Sequence, residues 1–149
     1  MDTKDNNNQE NPTNKKEAFY KKLKESLDNT TQFPASYLFK FIVPTDHTAL
    51  NLEKETLSKE KEALSENEKD AINEIDHKIN LVNEKLKTED AKLQQVDDIF
   101  KNNTDANIQT KKSKSGKYTS KTIQVKMHSS DEVINKYKDA EGVEGIISL

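Results

Sequence analysis

The roughly 55 residues that follow Thr45-Asp46 contain neither Gly nor Pro, and from residue 66 onward they carry a heptad repeat. Such a repeat is typical of a long helix that buries one apolar seam against another helix. Glu89 is the one polar residue at a d position. The apolar a and d positions are Ile72, Ile75, Ile79, Val82, Leu86, Leu93, Val96 and Phe100. No other feature constrains the fold as strongly.

The first part of the same stretch has one apolar residue per heptad, at Leu50, Leu57 and Leu64. This stripe is out of phase with the later repeat by one residue. The mismatch contains residues 65–68, Ser-Glu-Asn-Glu, which are typical of a capping box that restarts a helix. We therefore predict two antiparallel helices, at 47–64 and 66–102.

The length of this stretch also favours a hairpin over one helix. A single helix over 47–102 would span about 84 Å, and its end would lie far from the start of the next strand. An outgoing helix of about 18 residues followed by a returning helix of about 37 residues brings the chain back to the sheet. The last turns of the return helix then belong to the domain itself. The insert, at about 48–90, would protrude by about 25–30 Å.

Four segments outside the hairpin predict strands. Residues 37–43 are aromatic and β-branched and lie between two prolines. Their apolar side chains fall on both faces, which indicates a central strand with both sides at least partly covered. Residues 118–127 alternate apolar and polar side chains and pair across a turn with a weaker strand at 104–113. Residues 145–149 form a last short strand.

Two shorter helices complete the pattern. A helix over 15–30 has an apolar stripe that we expect to dock on the domain, because so short a helix is marginal alone. A second helix begins at Asp131, with Ser129 or Ser130 as its N-cap and Gly142 at its end.

The order of these elements predicts the fold class. Without the insert they run β-α-β-β-α-β, the order of the ferredoxin-like plait, an α+β fold. The ferredoxin-like domain then spans 31–149, with the helical hairpin inserted in its first helix. Residues 1–14 have no apolar side chain after Met1, and we expect a disordered tail there.

Composition limits the classes of function. Of the 149 residues, 31% are hydrophobic and 34% are charged, too polar for one compact globule. All 24 basic residues are Lys, so the chain has no Arg. The Arg guanidinium binds phosphate groups through two parallel hydrogen bonds, and its absence argues against a nucleic-acid partner. The absence of Cys excludes disulfides and thiolate metal sites. No apolar run approaches the ~20 residues of a membrane helix, so we expect a cytoplasmic protein with no membrane partner.

Three pieces of the chain resemble the YbeD-like family of small bacterial domains of unknown function. They are FPASYLFKFIVP (33–44), SKSGKYTS (113–120) and DEVINKYKDAEGVEGIISL (131–149), and the helix EAFYKKLKESL (17–27) is similar to that of some members. The resemblance implies the same plait, similar to that of ACT domains, which bind small metabolites and often dimerise. It also implies a link to lipoate metabolism. The family brings no defined site residues, and typical members have one ordinary helix where this chain has the insert.

The turn before residue 118 is a candidate site for an anionic ligand. Residues 101–128 contain seven Lys and one Asp, a net charge of +6, whereas residues 51–100 have 14 acidic and eight basic residues, a net charge of −6. Backbone N–H and ammonium groups at this turn could hold an anion. Its residues are Lys112, Ser115, Gly116, Lys117 and Tyr118. The alternative is a solubilising strand edge that discourages sheet pairing.

No motif in the sequence indicates catalysis, a metal or a cofactor. His47, His77 and His128 are scattered among different elements, and the carboxylates of the insert lie on a solvated helix tip. Nucleophile-elbow, P-loop and dinucleotide glycine patterns are absent. We therefore expect a protein that is not an enzyme and that needs neither metal nor cofactor.

The leading hypothesis is a regulatory or adaptor module that binds a partner protein, or a second copy in a homodimer, through the hairpin, the sheet or both. Its candidate contacts on the hairpin are Leu57, Leu64, Ile72 and Ile79. The first alternative is an ACT-like sensor of a small metabolite. The second is an RNA-binding plait that stacks bases on Tyr37, Phe39 and Phe41.

Overall fold

The structure, a computed structural model, describes residues 12–149. These residues form a mixed α+β fold with four helices and one four-stranded antiparallel sheet. In chain order the elements are α1 (Pro12–Thr30), β1 (Ala35–Pro44), α2 (His47–Glu62), α3 (Lys69–Ile99), β2 (Asn107–Lys112), β3 (Tyr118–Met127), α4 (Ser130–Ala140) and β4 (Ile147–Ser148). Of the predicted disordered tail, 1–14, residues 1–11 lie outside the described residues. Its last three residues belong to α1, because a Pro fits the first turn of a helix.

The strands lie in the order β2-β3-β1-β4. β1 pairs with β3 along its whole length, with Phe39 opposite Ile123 and Phe41 opposite Lys121. Because side chains alternate along a strand, the odd-numbered residues of β1 and β3 share one face of the sheet. That face is the one the helices cover.

The core on the covered face is aromatic at its centre. Phe39 lies 5.1 Å from the ring of Phe100 and 5.1 Å from the ring of Tyr137, measured between centroids. These tilted and edge-on arrangements are the ones aromatic pairs prefer. We call this the sheet core; its buried residues are Leu27, Phe39, Phe41, Val43, Val96, Phe100, Ile123, Val125, Met127, Val133, Tyr137, Ala140 and Val143.

The opposite face of the sheet is largely open, so the predicted partial cover on both sides of β1 is confirmed only at its end, where Ile42 and Pro44 are partly buried. Leu38 is 59% exposed, and Lys40 beside it is also exposed. α1, α3 and α4 all contribute to the sheet core on the other side. The apolar residues on both faces of β1 do not show which face the helices cover, because helix placement depends on contacts far apart in sequence.

α1 packs antiparallel to α4. Near the start of α4, Lys24 pairs with Asp131 at 2.9 Å. Near its end, the Tyr20 hydroxyl donates a hydrogen bond to the Glu141 carboxylate. Leu27 is buried in the sheet core, whereas Phe19 points outward and is largely exposed. The apolar stripe of α1 therefore docks in part.

α2 and α3 confirm the two helices, but the capping box is wrong. α3 begins at Lys69, three residues after the predicted start, and Glu68 caps it with no side-chain hydrogen bond. Instead the Ser65 hydroxyl donates to the Glu68 carboxylate at 3.3 Å. Residues between the helices form a tight turn, in which the Glu68 N–H donates to the Ser65 carbonyl at 3.0 Å.

Local signals placed the C-terminal elements closely. β3 has the predicted bounds, and α4 begins one residue before the predicted start, at Ser130. The Ser129 hydroxyl accepts the N–H of Glu132 at 3.1 Å, an N-cap bond. β2 and β4 are shorter than predicted, at six and two residues.

Candidate binding surfaces

The helical pair α2–α3 has a small apolar cluster of its own. Leu50, Leu57 and Val82 are buried, and Ile75, Ile79 and Leu86 pack against them. We call these six residues the hairpin cluster; none of them comes from the sheet. Two predicted partner contacts, Leu57 and Ile79, therefore hold the two helices together.

The other two predicted contacts, Leu64 and Ile72, are half-buried near the tip of the pair. Partner binding through these four residues stays a prediction. Leu57 is buried and Ile79 packs against it, so a partner would have to separate α2 from α3 to reach them. Exposed leucines on the same helices, Leu52 and Leu81, are easier to reach.

A polar layer lies where the helical pair meets the sheet. Four of the five buried polar residues in the described chain lie there: Thr45, His47, Thr119 and Lys121. We call these four residues the junction layer. The Thr45 and Thr119 hydroxyls are 3.0 Å apart, and Thr45 also donates to the Gly116 carbonyl at 3.1 Å. Buried hydroxyls are thus satisfied by one another and by the backbone.

A hydrogen bond from His47 and an ion pair from Lys121 tie the junction layer to α3. His47 Nε2 lies 3.0 Å from Asp90, and Lys121 Nζ lies 3.0 Å from Asp97. Glu89, the polar d residue of the heptad, is largely buried beside Lys92 at 3.4 Å. On α3, Glu89 and Lys92 lie between the hairpin cluster, which ends at Leu86, and the sheet core, which Leu93 contacts; Asp97 lies one turn further along. Glu89 was the one sequence signal for this layer.

The predicted anion-binding turn is held by its own hydrogen bonds. The Gly116 N–H donates to the Ser113 carbonyl at 3.0 Å. The N–H groups of Lys117 and Tyr118 donate to the hydroxyls of Ser115 and Ser113 at 3.3 and 3.2 Å. Anion binding by these N–H groups stays a prediction, and it would require breaking these bonds.

Gly116 has a structural reason to be Gly. Its φ is +75°, and a Cβ at this position would lie 2.0 Å from the Thr48 hydroxyl oxygen. The turn thus presses directly against the start of α2, and the Thr45 N–H donates to the Lys117 carbonyl at 2.8 Å. Gly116 and Lys117 attach the β2–β3 turn to the base of the helical pair.

Two other residues of the predicted anion site, Lys112 and Tyr118, line a cavity on the open face of the sheet. Its volume is about 230 Å³. Ser115, Gly116 and Lys117 do not line it. Its lining residues are Lys40, Ile42, Lys111, Lys112, Ser113, Tyr118 and Ser120. The sequence prediction missed Lys40 and Lys111, because only the strand register brings them to the same place.

The open face carries exposed apolar and basic side chains among uncharged polar ones. Tyr118 and Ile147 are 47% exposed, Leu38 59% and Leu149 65%. The register adds Lys40, Lys111 and Lys126 to the same face and places no Asp or Glu on it within the four strands. Exposed apolar side chains beside one sign of charge are typical of an interaction surface.

The aromatic residues proposed to stack bases do not lie on this face. Phe39 and Phe41 are fully buried in the sheet core, and Tyr37 is half-buried with its hydroxyl 2.9 Å from that of Tyr137. An RNA-binding plait displays such aromatics on its open face. Tyr37, Phe39 and Phe41 are therefore not available to stack bases, which argues against the RNA-binding alternative.

Shifted pKa values mark the α1–α4 side of the molecule. Burial, and then a hydrogen bond to Glu141, raises the pKa of Tyr20. Burial, and then the Tyr37 hydroxyl, raises the pKa of Tyr137, and a hydrogen bond to Asp131 raises the pKa of Lys24. All three groups join α1 or the sheet to α4, so their shifts reflect packing.

Two further results concern the described residues alone. Between residues 12 and 149, no three or more His, Asp or Glu side chains are grouped so that they could hold a metal ion. No helix in this range is long and apolar enough to cross a membrane.

Residues 82–148 match the family model described as "Protein of unknown function (DUF493)". The match begins within α3 and includes β2, β3, α4 and β4, while α1, β1 and α2 lie outside it. The chain is thus similar to this family over a little under half of its length. The YbeD-like resemblance is consistent with the match, which does not itself carry that name. No curated protein and no solved structure matches the chain.

Proposed function

We propose that this chain is a cytoplasmic, non-enzymatic binding module of YbeD-like type that docks a partner protein on the open face of its sheet. Its framework is a ferredoxin-like plait with a helical hairpin inserted in the first helix. The strand order β4-β1-β3-β2 and the placement of the helices on one face support that framework. So does α3, which contributes to both the hairpin cluster and the sheet core.

The exposed apolar side chains of the open face carry the proposal. Leu38, Tyr118, Ile147 and Leu149 are about half-exposed or more. The heptad residues of the hairpin instead face one another, with Leu57 and Val82 buried. Apolar area that is already buried inside the chain contributes nothing to binding, so the sheet offers the larger gain in affinity.

Charge indicates the chemistry of the partner. Lys40, Lys111 and Lys126 lie on the open face, and no acidic residue shares it within the strands. A two-fold dimer through this face would bring one basic surface against another, which is unfavourable. The occupant is therefore a different protein, whose contact surface combines apolar residues with Asp or Glu.

The buried ionisable groups support a non-enzymatic role. His47 is paired with Asp90, and Lys121 is paired with Asp97 and donates to Thr110 at 2.8 Å. Each lies inside the junction between helices and sheet, away from the open-face cavity. These pairs serve packing, and none presents a base to a substrate.

The test compares three forms of the full chain as bait. They are the wild type, a sheet-face variant (Leu38→Ser with Leu149→Ser) and a matched control that removes two exposed leucines of the helical pair (Leu52→Ser with Leu81→Ser). A captured protein is purified, and its Kd is measured with each form. We expect the sheet-face variant to bind at least about tenfold more weakly, and the control to bind like the wild type.

Two results would overturn the proposal. One is equal affinity for the sheet-face variant with loss in the control, which would assign docking to the hairpin. The other is a wild-type solution mass that rises with protein concentration, together with a sheet-face variant that stays at the monomer mass. That result would make a second copy the occupant. Circular dichroism confirms that the variants are folded, as expected for substitutions at exposed positions.

A further inference from the structure

We propose that the open-face cavity, lined by Lys40, Lys111, Lys112, Tyr118 and Ile42 among others, binds a small organic dianion of the phosphate-monoester type. This goes beyond the docking function, because a small ligand would bind whether or not a partner protein is present. The two activities overlap in space, so a bound ligand would also alter the basic corner of the docking face.

The charge of the cavity is uncompensated within the protein. Lys40, Lys111 and Lys112 all line it, and among residues 12–149 none of them has a carboxylate within ion-pairing distance. Other Lys side chains do have such partners, including Lys61 with Asp76 at 2.7 Å. The register puts the side chains of Lys40 and Lys111 on the open face, whereas Lys112 is opposite Thr119 and contributes to the lining through its backbone. Two like charges around one hollow repel one another, and an anion in the hollow removes that repulsion.

The strand register explains how the two cations of the open face, Lys40 and Lys111, converge. Ile42, Ser120 and Lys111 lie in one row across β1, β3 and β2. Lys40 lies in the next row along β1, and Tyr118 in the next row on the other side. The strands hold these side chains on one rigid surface, which favours preorganised binding.

The number of ammonium groups selects the charge of the ligand. A phosphate monoester carries a charge of about −1.5 to −2 at pH 7 and three strong acceptor oxygens. Each Lys offers up to three N–H donors as a point charge, a known mode of phosphate binding. A single carboxylate, with one charge and two oxygens, would leave part of the set unpaired.

The size and walls of the cavity select the rest of the ligand. Its volume of about 230 Å³ is that of roughly eight water molecules at ~30 Å³ each, below the usual range for drug-sized ligands. Ile42 and the half-exposed ring of Tyr118 offer apolar surface beside the cations. We therefore expect a phosphate group attached to one short or ring-shaped apolar body.

The test is a titration of the ¹⁵N-labelled full chain with phenyl phosphate, followed by amide chemical shifts. We expect saturable shifts at residues 40–42, 111–113 and 118–120, with a Kd below about 1 mM. Inorganic phosphate and benzoate should each bind at least about tenfold more weakly, because one lacks the apolar body and the other lacks the charge. Phenol should cause no saturable shift.

Matched variants separate this site from general attraction to Lys. Lys40→Gln with Lys111→Gln should raise the Kd for phenyl phosphate by about tenfold or more. Lys85→Gln with Lys87→Gln, an equal charge change at exposed positions of α3, should leave it unchanged. The proposal fails if wild-type shifts do not saturate, if they spread over the Lys-rich surface, if phosphate or benzoate binds equally well, or if both double variants behave alike. None of these outcomes depends on the partner protein.

Discussion

The sheet core and the hairpin cluster differ in how much of their apolar surface is removed from water. The sheet core has 13 buried residues drawn from α1, α3, α4, two strands and the segment after α4. The hairpin cluster has three, and its other three members are only partly buried. An isolated pair of helices with so few buried side chains is marginal in water. The hairpin therefore takes much of its order from its attachment to the sheet.

The junction layer makes that attachment polar. Hydrogen bonds and ion pairs are directional, so they fix the angle at which the helical pair leaves the sheet. They also interrupt the apolar contact between the two clusters, since Glu89 and Lys92 lie between Leu86 and Leu93 on α3. Two apolar clusters that share a helix but are separated by a polar layer are expected to unfold in separate steps.

The largest expected effect is on the sheet core. Phe39 is 0% exposed and contacts four aromatic rings, so Phe39→Ala should lower the free energy of unfolding by about 3–5 kcal/mol. Leu38→Ala, the neighbouring residue on the open face, should change it by about 0.5 kcal/mol or less. Urea unfolding of both variants measures this. Similar losses in the two would mean that the open face is covered in solution.

A smaller and more local loss is expected in the hairpin. Leu57→Ala should lower the free energy of unfolding by about 2–3 kcal/mol, the low end for a buried Leu, because the small cluster can relax around the cavity that is left. Hydrogen exchange should speed up in α2 and in the first half of α3 and stay unchanged in β1 and β3. Leu52→Ala, on the exposed side of the same helix, is the control. Faster exchange throughout the sheet would break the distinction between the two regions.

The junction should respond less than either apolar cluster. Lys121→Ala removes a buried ammonium group from Asp97, whose carboxylate remains one-third exposed, so we expect a loss of about 1–2 kcal/mol rather than the 3–5 of a fully buried pair. Lys61→Ala, which removes an exposed pair with Asp76, should cost less than about 0.5 kcal/mol. Thermal unfolding compares the two. Equal losses would mean that the junction pair is open to solvent.

The smallest expected effect is a change in pH dependence. Burial raises the pKa of Tyr137, so above the ordinary tyrosine pKa of about 10 the folded protein holds a proton that the unfolded chain has released. The free energy of unfolding should therefore be unaffected by this group below pH 10 and fall as the pH rises beyond it. Tyr137→Phe should make that decline shallower but not abolish it, because the pKa of Tyr20 is raised too. Urea unfolding between pH 7 and 11 tests this, and an unchanged slope would contradict it.

Elements with local signals were predictable from the sequence. The alternation of residues 118–127 predicts the bounds of β3, and Ser129, one of the two predicted candidates, is the N-cap of α4. The heptad repeat and its change of phase at residues 65–68 predict the two helices of the hairpin. The restart of α3 was misplaced, because Ser65 and Glu68 bond to each other in the turn rather than to backbone N–H groups. A short polar motif does not distinguish these arrangements.

Features that depend on strand register and helix placement could not be predicted. Lys40 and Lys111 are 71 residues apart and meet only because β3 pairs with both β1 and β2. The Lys residues and Gly of the β2–β3 turn favour an anion site, whereas in the structure Gly116 packs against Thr48. Which face of β1 is open was also out of reach, because apolar side chains occur on both of its faces.

Native-state hydrogen exchange of the full chain tests the central claim, that the hairpin and the sheet are separate units of stability. We predict that amides of α2 and of α3 before Glu89 exchange through an opening with a lower free energy than those of β1 and β3. The difference should persist as low concentrations of denaturant are added. If both sets of amides exchanged with the same free energy and the same denaturant dependence, the hairpin and the sheet would form one cooperative unit, which would contradict the claim.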